Sequence, residues 1–283
     1  MEHARRALAA SALAAMGTAF AQTAEELERY RRMTTFAFGA SVLVNHEPYR
    51  GVNSGDPDVF VIPFYVYNKN NLTLAGPNIS YRFWRPLDVQ LSVEGKYRFQ
   101  NYEGSDSPFL EGMDDRHGTF EVGLRAQKRI DRLRLRAEAY VDAASQHDGY
   151  ELTLRANYEL GDNRAYSVRP ELGFSYQSSN LVTYYYGVKD DEARMAVPDG
   201  TGNLMDRPAY IPEPGVVPFA GVEFRVRLSR RLQLNGLVRS TFLSDEITES
   251  PIVSRPQRGS AFVGISYLFA GPGVSGGGRD RSR

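Results

Sequence analysis

Polarity that alternates with a period of two along most of the chain predicts an all-β fold, and the length of the alternating runs predicts a closed antiparallel transmembrane β-barrel. Three observations carry this. The first is the stretch Tyr150 to Leu160, where Tyr150, Leu152, Leu154, Ala156, Tyr158 and Leu160 alternate with Glu151, Thr153, Arg155, Asn157 and Glu159. One face is apolar and the other polar, without a break. The second is an alternation of tight turns with long loops, the asymmetry of short periplasmic turns and long extracellular loops. The third is an N-terminal export signal, followed by no run of about 18 apolar residues that could cross a bilayer as a helix.

Composition narrows the class. At 283 residues the chain suits one large all-β domain or two ordinary ones. Lys+Arg and Asp+Glu are both 34, so the net charge is zero and there is no basic footprint for nucleic acid. The 17 Tyr, 15 Phe and 26 Gly suit many strands and turns. The absence of Cys removes disulfide frameworks, thiol catalysis and Cys-based zinc sites, and no pattern asks for a cofactor or a metal.

Residues 1–21 read as a secretory signal: Arg5 and Arg6, an Ala- and Leu-rich run from Ala7 to Gly17, and the small-x-small site Ala19-Phe20-Ala21 before Gln22. The competing amphipathic helix lacks a polar face. Residues 22–32 are charged and helix-favouring, a short periplasmic leader. The barrel is expected over 33–269. Its first strand presents Phe36, Phe38, Ala40, Val42 and Val44 on one face. A Gly-, Asn-, Asp- and Pro-rich loop, His46 to Asp58, leads to Val59–Tyr67, and Asn68 to Asn71 form a tight turn. Leu72 and Leu74 then share a face, but after Gly76-Pro77 the apolar phase moves to Ile79, Tyr81 and Phe83, which calls for a bulge or a break.

The middle is regular. Val89, Leu91, Val93, Tyr97 and Phe99 form one face; then, past a loop from Asn101 to Arg116, Phe120, Val122, Leu124 and Ala126; then, past Asp131, Leu133, Leu135, Ala137, Ala139 and Val141. Ser145 to Gly149 and Gly161 to Asn163 are turns on either side of the strand read first, and Tyr166 to Tyr176 follows. Ser178 to Gly215 is the longest irregular segment, and loops of that size are usually functional. Val222–Leu228, Leu232–Val238 and Ala261–Phe269 complete the series, the last two separated by a loop from Asp245 to Arg258. About eleven strands are readable, whereas bacterial single-chain barrels have an even number. Because both faces are apolar over Val59–Phe83, that region holds an extra crossing, giving twelve, or a segment that does not span, giving ten; twelve is the reading adopted.

The polar faces carry Glu94, Lys96, Arg98, Arg125, Arg134, Arg136, Glu138, Glu151, Arg155, Glu159, Arg169, Glu171, Glu223, Arg225, Arg227 and Arg239, together with Glu121 and Asp142. In a soluble sandwich they would be a solvated exterior, but sandwich strands are usually about five or six residues. Runs of about 11 to 13 residues, tilted about 40°, match a bilayer core of about 25 Å. The charged face is therefore expected to line the lumen, with a slight basic excess that would favour anions mildly.

The blocks SQHDGYELTLRANYEL, LVTYYYGV and SPIVSRPQRGSAFVGISYLF resemble the MltA-interacting protein (MipA/OmpV) family of outer-membrane proteins. LEGMDDRHGTFEVGL and, more loosely, PYRGVNSGDPDVFVIPFYVY extend the resemblance over nearly the whole mature chain. The chain departs from the family at Tyr49 to Asp56, where an acidic loop pattern is missing, and after Phe269, where residues 270–283 form a Gly-rich basic tail. The resemblance implies an outer-membrane location and a scaffold that brings a murein transglycosylase and a murein synthase together; other members are described as porin-like, adhesive or stress-related. Lipids and lipopolysaccharide would surround such a barrel, and the barrel-assembly machinery would insert it, reading Ile265, Tyr267 and Phe269 as its C-terminal signal. The tail is read as an unstructured periplasmic extension, with Arg279, Arg281 and Arg283 offering a weaker case for a peptidoglycan or partner contact.

Three classes of function stand side by side: a scaffold with a filled, cross-paired lumen, a narrow channel, and a hydrolase. Twelve strands leave more interior than eight, which long side chains can occlude. Ser145, His147 and Asp148 suggest a catalytic trio, but near-consecutive residues of one turn cannot form a relay, so no enzyme is expected. His46, His117 and His147 lie in separate loops without metal-ligand spacing. Tyr184, Tyr185 and Tyr186 are read as an interfacial aromatic girdle in preference to an external binding surface.

Overall fold

The computed structural model describes residues 35–52, 58–162 and 165–270. The export signal, the leader and the C-terminal tail lie outside the described residues. In chain order the strands are β1 (Thr35–His46), β2 (Asp58–Lys69), β3 (Leu72–Ala75), β4 (Asn78–Trp84), β5 (Val89–Arg98), β6 (Thr119–Ile130), β7 (Leu133–Asp142), β8 (Tyr150–Tyr158), β9 (Gly161–Asp162), β10 (Tyr166–Gln177), β11 (Arg194–Pro198), β12 (Leu204–Arg207), β13 (Gly215–Arg227), β14 (Leu232–Phe242) and β15 (Gln257–Ala270). Two short helices, α1 (Ser179–Tyr186) and α2 (Asp245–Thr248), lie in loops.

Twelve of these strands close an antiparallel barrel. Sequence neighbours pair in turn, β8 pairs with β10 and β10 with β13, and β15 returns to β1 from Phe36↔Ala270 to His46↔Gly259. The remaining pieces stand apart: β9 extends the edge of β10, and β11 and β12 form a hairpin in the loop 178–214. The connections that follow β1, β5, β7, β10 and β14 leave from one end, the outer one, and tight turns such as 131–132 lie at the other.

Burial is inverted relative to a soluble sheet. On β8 the polar Glu151, Thr153 and Asn157 are buried, while Leu152 and Leu154 are 47% and 49% exposed. On β6 Glu121 is buried and Phe120, Val122 and Leu124 are exposed. An apolar exterior over a polar interior is stable only with lipid outside, so this is a barrel of the outer membrane. Ile265, Tyr267 and Phe269 lie on the exposed face of β15, where Phe269 meets Phe36 at 5.3 Å between ring centroids.

The phase change at Gly76-Pro77 is neither a bulge nor a break in one strand. The chain reverses there, with Gly76 at φ 54°, and the extra crossing that brings the count to twelve is β3. With 4 residues β3 reaches about 13 Å, roughly half the bilayer core. Above it β2 runs on along Val59–Phe64 with β1 on one side and no strand of the described residues on the other. Gly76 N–H donates to Tyr65 O at 2.9 Å, and by the period of two the backbone groups of Pro63 face the same edge. Proline, which has no N–H to offer a neighbour, thus stands where no ladder bond is needed.

The lipid-facing assignment makes a prediction. Leu124→Arg or Leu154→Arg should each destabilise the barrel by about 2–4 kcal/mol, measured by denaturant titration in lipid vesicles, with the larger effect at the position nearer the bilayer midplane.

Candidate functional site

The charged side chains meet inside the barrel. Lys96 and Arg98 on β5 reach Glu151 on β8 at 3.3 and 2.6 Å. Two strands lie between, so these contacts cross the interior. The same two cations hold Glu121 at 3.1 and 2.7 Å. Arg125 pairs with Glu94 at 2.7 Å, and the Tyr140 hydroxyl donates to the other Glu94 oxygen at 2.6 Å. Arg155 bridges Glu138 and Glu171 at 3.3 and 3.6 Å, and Arg239 on β14 reaches Glu171 at 2.6 Å. Near the outer mouth Arg258 pairs with the buried Glu47 at 2.8 Å. Through these contacts six cations meet six carboxylates, and each of the six carboxylates is paired, as burial demands.

The inner half is composed differently. Glu159 accepts from both Arg129 and Arg169, at 2.6 and 3.0 Å, and Arg134 lies beside them. Arg136 donates to Gln127 Oε1 at 3.0 Å. Glu223, Arg225 and Arg227 follow at alternate positions of β13, opposite Leu237, Asn235 and Gln233.

The outer mouth is covered by a second core. Leu181, Val182, Tyr185 and Tyr186 of α1 are buried against Tyr49, Tyr102, Phe109, Leu110, Val188, Ile247, Ile252 and Val253, which come from four loops. Tyr49 meets Tyr102 edge-on at 4.6 Å. Polar groups tie the loops together. Arg207, fully buried, donates to the carbonyls of Glu192, Glu111 and Phe109. Arg116 spans Glu192 at 2.8 Å and the Tyr184 carbonyl at 2.7 Å. Ser250 Oγ donates to Tyr186 O at 2.6 Å, so the Ser250 to Val253 block is the loop that seats α1. Below this cap the lumen encloses a cavity of about 260 Å³, bounded by Tyr186, Gln100, Glu138, Glu151, Arg155 and Arg239 among others.

Two expectations are corrected here. Residues 178–215 are not irregular throughout but hold α1 and the β11–β12 hairpin. Tyr185 and Tyr186 are not a girdle at the lipid boundary, since both are buried in the cap and Tyr185 Oη donates to His117 O at 3.1 Å. The hydrophobic run of an eight-residue helix carries no signal that separates this role from an interfacial one. Glu47, Arg258 and the cap residues were missed for a related reason: they sit at strand ends and in loops, where no period marks the buried side.

The Ser145, His147, Asp148 turn forms no relay. Ser145 and Asp148 are exposed at φ 56° and 50°, while the His147 ring is buried, with Nδ1 accepting from Gly149 N–H at 2.9 Å and Nε2 3.6 Å from Glu121. Among the described residues no group of three His, Asp or Glu converges as a metal site.

Charge in the cap is tuned by its fold. Burial pushes the Glu192 carboxyl up, but backbone N–H groups of Lys189 and Asp114 and the Arg116 guanidinium outweigh this and hold it below the ordinary value of 4.5. Asp199 is held at about 2 by the Thr201 N–H and hydroxyl and by Asn203. Tyr102 is pushed up by its burial.

A family model for the MltA-interacting protein MipA matches residues 38–269. The chain belongs to the MltA-interacting protein family. The MltA-interacting protein of Escherichia coli K12 is 27% identical over 236 residues, covering 83% of this chain and 90% of that protein. A putative outer membrane protein of the same organism, YiaT, is 24% identical over 253 residues, covering 82% and 90%. The outer membrane protein OmpV of Vibrio cholerae is 25% identical over 168 residues, covering 59% and 61%. This family member is accordingly an outer-membrane protein.

Two predictions concern the cap. Leu181→Ala should loosen it by about 2–5 kcal/mol, seen as cleavage within 178–214 by an added protease while the barrel stays heat-modifiable on gels. Because the folded-state Glu192 value is depressed, its contribution is present above about pH 4.5 and lost as pH falls below it. Hydrogen-exchange protection of α1 should therefore drop on acidification, and Glu192→Gln should lower it at pH 7 and flatten the dependence.

Proposed function

We propose that this outer-membrane barrel is a structural scaffold linked to murein synthesis and turnover, with a lumen that does not conduct. The observation that carries this reading is the cap: a packed hydrophobic core laid across the outer mouth. A pore gains nothing from such a core, whereas a scaffold needs a rigid body, and the cross-paired charges beneath supply rigidity from within. The inner end, where tight turns such as 131–132 lie, is the side on which murein enzymes would dock. The relative named for its interaction with MltA supports a murein transglycosylase as one partner; a murein synthase is the second partner of this proposal.

Refolded protein in a planar bilayer should be silent, and the immobilised barrel should retain both a murein transglycosylase and a murein synthase. Capture of neither enzyme would end the scaffold reading. Steady, salt-dependent steps altered by Arg136→Ala would replace it with a narrow porin-like channel.

A further inference from the structure

The lumen charge is divided along the barrel axis. Toward the outer end six cations pair with six carboxylates, whereas toward the inner end Arg129, Arg134 and Arg169 gather around Glu159, and Arg136 lies one lumen-facing position deeper than Arg134, opposite Arg155. Both Glu159 oxygens are already taken, one by Arg129 and one by Arg169. Among the described residues neither Arg134 nor Arg136 has a carboxylate within ion-pair distance, and the nearest support for Arg136 is the neutral Gln127 amide. This cluster lies at the end of tight turns, and the Arg129 side chain is 55% exposed there. The space enclosed between Arg129, Arg132, Arg134 and Arg169 is about 10 Å³, room for no more than one water. A ligand would therefore lie over the cluster from the periplasmic side instead of entering it.

We propose that the periplasmic mouth is a binding site for a small ligand bearing at least two carboxylate or phosphate charges, held by Arg134 and Arg136 within the ring completed by Arg129 and Arg169. Arg134 and Arg136 stand on adjacent lumen-facing positions of β7 with no carboxylate at ion-pair distance among the described residues, and guanidiniums are the side chains that bind such groups through paired N–H donors. The site does not depend on the scaffold reading, since it requires only the barrel and its charges.

The test is isothermal titration calorimetry of the full chain, refolded in detergent, with pyrophosphate and with succinate against sodium chloride of equal ionic strength. One ligand should bind per barrel, more weakly as salt rises, and whichever of the two binds better identifies the acid group. Arg134→Gln with Arg136→Gln should weaken binding about tenfold or more, whereas Glu94→Gln with Arg125→Gln in the balanced half should leave it unchanged. Glu159→Gln, which releases Arg129 and Arg169, should tighten it and decides the matter if the double arginine variant does not fold. No binding of either anion overturns the proposal, as does equal loss in both double variants, or binding unaltered or weakened by Glu159→Gln.

Discussion

Ion pairing across the lumen is the constraint on which this barrel depends. The bilayer forces apolar side chains outward and so sends every other residue of each long strand inward, into a space too narrow to solvate a full set of charges. A buried charge left alone costs several kcal/mol, so the carboxylates are shared: Glu151 between Lys96 and Arg98, Glu171 between Arg155 and Arg239. Glu151 joins β8 to β5, and the Glu171–Arg239 pair joins β10 to β14, strands that do not touch in the sheet. The lumen is thereby cross-braced from β5 to β8 and from β10 to β14.

A braced interior gives the loops something to build on. His147 sits where the two regions meet, its ring 3.6 Å from Glu121 of the lumen network and about 6 Å from the rings of Tyr184 and Tyr185 on α1. Arg98 pairs with Glu121, so one chain of contacts leads from the ion pairs to the helix of the cap. The cap's own core is drawn from loops far apart in sequence, and none of them buries enough apolar surface alone to stay ordered. They are stable together because the strand ends hold them over one mouth.

The strands were legible in the sequence because lipid on one side and charge on the other enforce a strict period of two, as Tyr150–Tyr158 shows most plainly. The same rule explains the failure at Val59–Phe83. There both faces are apolar, so a reversal at Gly76-Pro77 looks identical to a slip in register, and a strand of 4 residues is too short to show a period. Lumen side chains were identifiable by type and face, but not their partners, since pairs such as Arg239 and Glu171 are set by barrel closure. The cap was illegible for a different reason. Its buried residues, Tyr49, Phe109, Tyr185 and Ile252 among them, are spread over loops without periodicity, and a Tyr-Tyr-Tyr run reads equally as a lipid-boundary belt.

The division of charge along the axis follows from closing one end only. Beneath the cap the buried carboxylates find partners within the protein, as burial demands. At the periplasmic mouth solvent and ions have access, and an excess of arginine is tolerable because screening offsets it. Among the described residues, guanidiniums without a carboxylate at ion-pair distance are thus found toward the end that solvent reaches. The cap that closes the outer mouth and the arginines that crowd the inner one are two consequences of the same seal.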